Sequence, residues 1–329
     1  MSERRPAGEG RSGDQGRIDA ATATGGRREV EITRADKVLF PAHGALPAVT
    51  KADLAAYYRD IAPWMLPELR DRPLTLELHP DGVDGPRIMR KNVPEHFPDW
   101  VRRAEVDKEG GTVTHVLAAG ADTLVYLAGQ GCVTLHRWLA RTDLPRRPDR
   151  LVFDLDPAES AGDAAADFAV VRRAARRLGD LLDELRLPWA PMTTGSRGLH
   201  LIVPLDRRAD ADDVRDFARE AADLLAARHP DELTTEPRKA DRGDRLYLDV
   251  MRNGYAQTAV APYSVRPLPG APVAVPVARD VLDDPKATAR QWTVADAVEH
   301  AKSDPWAGLL PGRGRSLGPA RRRLRALER

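Results

Sequence analysis

The chain has 329 residues with 51 Lys and Arg against 50 Asp and Glu, so it is charge-balanced although 31% of it is charged. That excludes a global polycation, and any contact with nucleic acid must rest on local basic patches, because attraction to phosphate depends on where charges sit as well as on their sum. At 42% apolar residues it can bury one large core or two modest ones, while the single cysteine, Cys132, excludes an internal disulfide and a Cys-rich zinc site.

Residues 1 to about 28 contain Arg4, Arg5, Arg11 and Arg17 among Gly, Ser, Ala and Asp, with almost no large apolar side chain. Such a stretch cannot offset the entropy of ordering and is expected as a disordered tail. It has no apolar centre of the signal-peptide kind, and no run of about 18 apolar residues occurs anywhere, so a cytoplasmic protein without membrane contact is expected. From Arg28 the pattern changes: "REVEIT" alternates as a strand, and Thr50 caps a helix with Leu54, Tyr57, Tyr58, Ile61 and Met65 at helical spacing. "PLTLELHPDGVDGPRIMRKN" reads as strand, turn and strand, and "THVLA" and "CVTLHRWLA" add two β-rich runs around "DTLVYLAGQ". After "LPRRPDR", "LVFDLDP" is a buried strand ending in acids, and residues 162–186 form a helix with Phe168, Val171, Ala175, Leu178, Leu182 and Leu185 on one face. "LHLIVPL" is the next strand, 210–228 another amphipathic helix, and "RLYLDVMRN" a further strand. Pro-rich "YAQTAVAPYSVRPLPGAPVAVPV" is extended, "TVADAVEHAK" helical, and 311–329 a basic tail. The sum is an α+β fold with mixed sheets: an N-terminal β-rich module over about 29–148 and a second module over about 149–310.

Asp154 and Asp156 end an apolar strand, and residues two apart on a strand face one side. Two adjacent carboxylates suit a hard divalent cation such as Mg²⁺ or Mn²⁺, although an isolated pair equally fits two solvated strand-end acids. Asp249 sits in a matching setting; if the two strands pair, three carboxylates converge, the usual protein contribution to a two-metal centre. Between them lies "TTGSRGLHLIVPL", where Gly195 and Gly198 let the backbone approach a ligand, Ser196 offers a hydroxyl, Arg197 a cationic fork, and His200 enters the next strand. That turn fits a triphosphate cradle, and a plain hairpin turn as well. Lys37 and Lys51 flank "VLFPAHGALPAVT", Arg90 and Lys91 end a short strand, and Arg242 belongs to a basic cluster before Asp249.

The segments "DKVLFP", "TKADLAAYY", "HPDGVDG", "LVFDLDP", "GSRGLHLIVPL", "LYLDVMRN" and "TAVAPYSVR" occur in an order that resembles the polymerase domain of bacterial ligase D, a primase-polymerase of the archaeo-eukaryotic primase superfamily. The resemblance spans about residues 30 to 310. It implies a primase-like fold with an RRM-like catalytic core, in which Asp154, Asp156 and Asp249 bind two Mn²⁺ or Mg²⁺ ions and Asp249 assists deprotonation of a primer 3′-hydroxyl. It further implies that Ser196, Arg197, Gly198, His200 and Arg242 bind a nucleoside triphosphate and that His136 lies near its sugar. By the same resemblance, Lys37 and Lys51 hold a DNA 5′-phosphate, and Ile88, Met89 and Lys91 stand where the template is met. The implied partners are gapped or broken DNA with a 5′-phosphate, a separate DNA ligase and a Ku-like end-binding protein, in a nucleoid-associated setting. The chain departs from the family pattern at Arg197, commonly Lys, at Ile88 and Met89, where some members have two aromatics, and at Arg34, often Asn. It carries no Lys-x-Asp-Gly ligase motif and leaves no room for ligase and nuclease domains, so a stand-alone polymerase is expected. Two other classes are compatible with parts of the pattern: a non-catalytic DNA-end binding module, and a nuclease, which has no need of the cradle between the acids.

Overall fold

The computed structural model describes residues 15–108, 110–158 and 164–329. Gln15–Ala21 (β1) and Arg27–Thr33 (β2) pair antiparallel in full register from Gln15 with Thr33 to Ala21 with Arg27. The disordered tail expected over 1–28 is therefore corrected from residue 15 onward, while residues 1–14 lie outside the described residues. The reason is local: Ala20, Val30 and Ile32 bury one face of the hairpin, and the two-strand pairing satisfies backbone groups that composition alone leaves open.

Val38–Phe40 (β3) and Val49–Thr50 (β4) lead into Lys51–Leu69 (α1), whose Thr50 hydroxyl accepts from the Asp53 amide while Asp53 accepts from the Thr50 amide. Leu74–Leu78 (β5), Ile88–Arg90 (β6), Arg103–Lys108 (β7) and Gly111–Val116 (β8) follow. Then comes Ala121–Gly129 (α2), the segment left unassigned between the β-rich runs, and Cys132–Trp138 (β9). Arg150–Asp156 (β10), Ala164–Glu184 (α3), Ala190–Thr193 (β11), Leu199–Pro204 (β12) and Ala211–Arg228 (α4) form the next block. Leu233–Thr234 (β13), Leu246–Asp249 (β14), Thr258–Val260 (β15), Ala297–Lys302 (α5) and Leu317–Leu327 (α6) complete the chain.

Two sheets position the chemistry. In one the strand order is β15-β9-β5-β8-β7, with β6 added to β5; in the other it is β11-β12-β10-β14-β13, mixed because only β13 and β14 run parallel. The apolar face of the second sheet is covered by α3 and α4, whose Phe168, Val171, Leu178, Val214 and Phe217 are buried against Leu151, Phe153 and Leu155. The first sheet packs on α1 and α2, and the chain returns to that core through Ala261, Val265, Val273 and Ala301. Among the described residues, no helix is long and apolar enough to cross a membrane.

The basic tail expected over 311–329 is also corrected. α6 buries Leu317, Ala320 and Leu324 in the second core while its arginines take the outer face, a helical stripe that the Arg run obscures. Leu324→Ala is expected to destabilise the fold by about 2–5 kcal/mol, the cost of a buried leucine cavity. Urea unfolding measures it, and an unchanged midpoint would return the segment to the status of a tail.

Candidate active site

β10 lies between β12 and β14, and the register sets Asp154 opposite His200 on one side and opposite Asp249 on the other. Directly opposed residues of antiparallel strands share a face, so His200, Asp154 and Asp249 form a row across three strands. Asp156, two residues on, projects from the same face and pairs with Tyr247. The strand ladder thus makes the convergence that the sequence left conditional. Beyond the end of β14, the Asn253 side chain accepts from the Val152 amide at 2.8 Å and donates to its carbonyl at 2.8 Å, which completes the edge of β10.

The turn between β11 and β12 closes over this row. Thr194 Oγ1 accepts from the amides of Ser196 at 3.3 Å and Gly198 at 3.2 Å and donates to the Gly198 carbonyl at 3.0 Å. Gly195 has φ +63°, and a Cβ at Gly198 would overlap the Leu155 carbonyl oxygen. Gly198→Ala therefore pushes the turn off β10; we expect a loss of about 1–3 kcal/mol in stability, the scale of overpacking. Urea titration reads it, and an unchanged midpoint would show that the turn accommodates the methyl group without moving.

His136, Asp154, Asp156, Ser196, Arg197, Gly198, His200 and Asp249 all line one cleft of about 210 Å³, together with Thr194, Arg252, Val260 and Arg266. A roomier cavity of about 580 Å³ lies by Arg150 and Pro204, at the other end of β10 and away from the acid row, so size does not mark the chemistry here. Arg242 stands just outside the cleft, in an adjoining cavity that shares Asp156 and Arg197. Its guanidinium lies over the Tyr247 ring at 3.7 Å and donates to the carbonyls of Glu236 and Pro237, 3.9 Å from Asp156. Arg197 reaches Asp156 Oδ1 at 3.3 Å.

The electrostatics fit a cation between the acids. Burial acts to raise the Asp154 carboxyl, but His200 at 3.5 Å and Arg252 outweigh it and hold it below the ordinary range. Asp156 is raised, first by burial and then by the charge of Asp154. Asp249 is raised too, by burial and by Asp154, against the amide of Met251 that donates to its Oδ1 at 2.8 Å. As the side chains stand, no group of three His, Cys, Asp or Glu among the described residues is set to hold a metal ion. The Arg252 guanidinium lies 3.5 Å from Asp154 and 3.7 Å from Asp249 and acts as the cation between them. Arg252 is near half exposed, and the acids it bridges are by themselves an all-oxygen donor set of the kind that suits Mg²⁺ or Mn²⁺. The residues therefore fit a divalent ion.

Sequence reasoning missed Thr194, Arg252, Arg266 and Glu77. Arg252 follows Asp249 by three residues and Arg266 closes "PYSVR", but only the fold carries them to the cleft; Arg266 donates to the Thr194 carbonyl at 3.3 Å. The remaining candidates stand apart from the cleft. Lys37 donates to Pro80 O at 2.6 Å and Asp81 at 2.8 Å, and buried Lys51 to Thr33 O at 2.7 Å. The Lys51 ammonium is lowered by burial and by the charges of Arg34 and Lys37, so a cationic group gathers at the N-terminus of α1. On β6, Ile88 and Met89 are exposed, as is Lys91 just beyond it, and Met89 borders a cavity shared with His136.

A row of acids on the central strands of a mixed sheet, under a glycine turn and faced by a second sheet, defines a nucleotidyltransferase of the archaeo-eukaryotic primase fold. Within that class the chain belongs to the LigD primase-polymerase domain family, whose model matches residues 50–306. It is 32% identical over 329 residues to the multifunctional non-homologous end joining protein LigD of Pseudomonas aeruginosa, covering 97% of this chain and 37% of that protein. It is 36% identical over 266 residues to the protein of the same name from Mycobacterium bovis, covering 78% of this chain and 34% of the relative. In structure it is similar to the polymerase domain of Mycobacterium tuberculosis ligase D, solved in complex with DNA. There the TM-score is 0.76 at 33% identity, covering 85% of this chain and 97% of the other. The chain spans about a third of the length of these curated relatives.

Proposed function

We propose that this chain is a metal-dependent, DNA-directed nucleotidyltransferase that adds nucleotides, ribonucleotides by preference, to DNA 3′ ends. It would serve gap filling or end processing in non-homologous end joining, at the nucleoid. The observation that carries the reading is the row of Asp154, Asp249 and His200 beneath the Ser196 to His200 turn, in one cleft with Asp156 and His136.

Asp154, Asp156 and Asp249 would hold the divalent ions, which when bound activate the 3′-hydroxyl and neutralise charge on the leaving pyrophosphate. The chain's own groups do the positioning. Arg197 and Arg242 flank Asp156 and bind triphosphate oxygens, with the turn's backbone and Ser196 beside them. Asp249, whose carboxyl favours its proton more than an ordinary aspartate, takes the 3′-hydroxyl proton as the bond to the α-phosphorus forms. His136 faces the nucleotide sugar across from the acids. Lys37 and Lys51 receive the 5′-phosphate of the downstream strand, and exposed Ile88 and Met89, with Lys91, offer an apolar surface to the template base. A DNA ligase and a Ku-like end-binding protein are the proposed partners.

Incubation with labelled gapped DNA, Mn²⁺ or Mg²⁺ and each nucleotide tests this. Lengthening of the primer, stronger with a 5′-phosphate than with a 5′-hydroxyl across the gap, supports it. A mobility shift without lengthening would make the chain an end-binding module, and shortening would make it a nuclease.

A further inference from the structure

A second buried acid stands opposite the metal site and has no part in the mechanism above. Glu77 on β5 is 4% exposed, yet its carboxylate is shared between two histidines: Oε2 accepts from His136 Nε2 at 3.0 Å, and Oε1 lies 3.5 Å from Nε2 of buried His79. The register explains the meeting, since Thr75 faces His136 and Glu77 faces Thr134, which makes Glu77 and His136 diagonal neighbours on one face. Glu77 and His79 line a cavity of about 440 Å³ that also includes His136, Ser196 and Arg266, and so adjoins the catalytic cleft. His136 borders both spaces.

We infer that Glu77 is a positioning residue that fixes the tautomer of His136, and through it the preference of the cleft for a nucleotide sugar bearing a 2′-hydroxyl. The inference rests on the proposed reading of His136 as the residue facing the sugar. A neutral imidazole carries one N–H. With that proton on Nε2 and donated to Glu77, Nδ1 remains as an acceptor, and it makes no hydrogen bond among the described residues. An acceptor fixed in place rewards a sugar that brings an O–H donor and gives nothing to one that has only C–H there. The charge state agrees: burial holds His136 below the ordinary histidine range against the pull of Glu77, so the ring is neutral at pH 7. Glu77 stays ionised, because His136, Arg266 and His79 outweigh the effect of its burial.

The test is single-nucleotide incorporation on gapped DNA with matched ribo- and deoxyribonucleotides. It compares the full chain with Glu77→Ala, Glu77→Gln, His136→Ala and the Glu77→Ala/His136→Ala pair, each checked by thermal melting. His136→Ala is expected to lower the ribo-to-deoxy ratio of kcat/KM by about ten-fold, one neutral hydrogen bond's worth. Glu77→Ala should reproduce most of that loss through KM for the ribonucleotide, with kcat for the deoxyribonucleotide little changed. Glu77→Gln, which keeps an acceptor oxygen and the side-chain shape, should retain more selectivity than Glu77→Ala. The double variant should be no less selective than His136→Ala alone. If the Glu77 effect persists undiminished without His136, the acid acts through Arg266 or the fold and the inference falls. If His136→Ala leaves the ratio unchanged, the sugar reading of His136 itself fails, and the inference falls with it.

Discussion

Asp249→Asn is expected to abolish primer extension, by about 10³-fold or more, without lowering the melting temperature. The first half follows from the proposed role of the row: on that reading, removing one charge leaves an incomplete oxygen set and no group to take the hydroxyl proton, and the loss of a charge-stabilising group is felt on this scale. The second half follows from the direction of the carboxyl shifts. Asp249 and Asp156 both sit above the ordinary aspartate range, through burial and the charge of Asp154. A carboxyl whose folded value is raised penalises the folded state at every pH above its unfolded value, so at pH 7 the neutral amide removes a cost. Asn also keeps the oxygen that accepts from the Met251 amide. Asp154 differs, because His200 and Arg252 hold it below the ordinary range; Asp154→Asn should be equally inactive but less stable. Primer extension and thermal melting on Asp249→Asn, Asp156→Asn and Asp154→Asn read both quantities, with Asp156→Asn expected to behave as Asp249→Asn does. Extension at the parent rate by any inactive candidate would remove that acid from the site, and a parallel fall in all three melting temperatures would refute the electrostatic account.

Two of the three acids cost the fold stability, which is what residues kept for function rather than stability do. The divergence among the three aspartates is not a property of their residue type. It arises because Asp154 occupies the middle of the row, with His200 on one side and Arg252 reaching it from the other.

Much of this arrangement was legible from the residues. "LVFDLDP" and "LYLDV" declare themselves as apolar strands ending in acids, and the period of two puts Asp154 and Asp156 on one face. What pattern could not supply was pairing: that β10 lies between β12 and β14 depends on long-range ladders, and with it the meeting of Asp249 with Asp154. Glu77 was invisible for the same reason, because in "TLELHP" it reads as the polar member of an alternating strand, whereas all five residues of β5 are buried. The terminal segments misled in a different way. Arg-rich composition outweighed the apolar contribution of Ala20 in β1, and the stripe of Leu317, Ala320 and Leu324, which join cores only once the partner strand β2 or α4 supplies the opposite face.

The second large effect is expected at the junction of the two sheets. Arg72, 1% exposed, pairs with Asp149 at 2.6 Å, and Arg141 approaches the other oxygen of Asp149 at 3.0 Å. Glu68, at the end of α1, pairs with Arg137 of β9 at 2.5 Å and Arg150 of β10 at 3.4 Å. The cluster therefore ties the strand that carries His136 to the strand that carries Asp154. Burial acts to raise the Glu68 carboxyl, but Arg137, Arg150 and Arg72 outweigh it and bring it down to about 2 from an ordinary 4.5. A folded value below the unfolded one contributes stability that is full above about pH 4.5 and is lost as pH falls toward 2, roughly 3.5 kcal/mol at about 1.4 kcal/mol per unit. Asp149 is lowered as well, its arginine partners outweighing burial, and adds with the same sign. Urea unfolding at pH 7, 5 and 3.5 should therefore show a stability that drops steeply over the last interval. Glu68→Gln should lose about 3–5 kcal/mol at pH 7, because buried arginines are left without their charge partner, and its remaining stability should fall less steeply with acid. Should the variant keep the parent's acid slope, the depressed carboxylate belongs elsewhere. Should it keep the parent's stability, this pairing contributes nothing to holding β9 and β10 together.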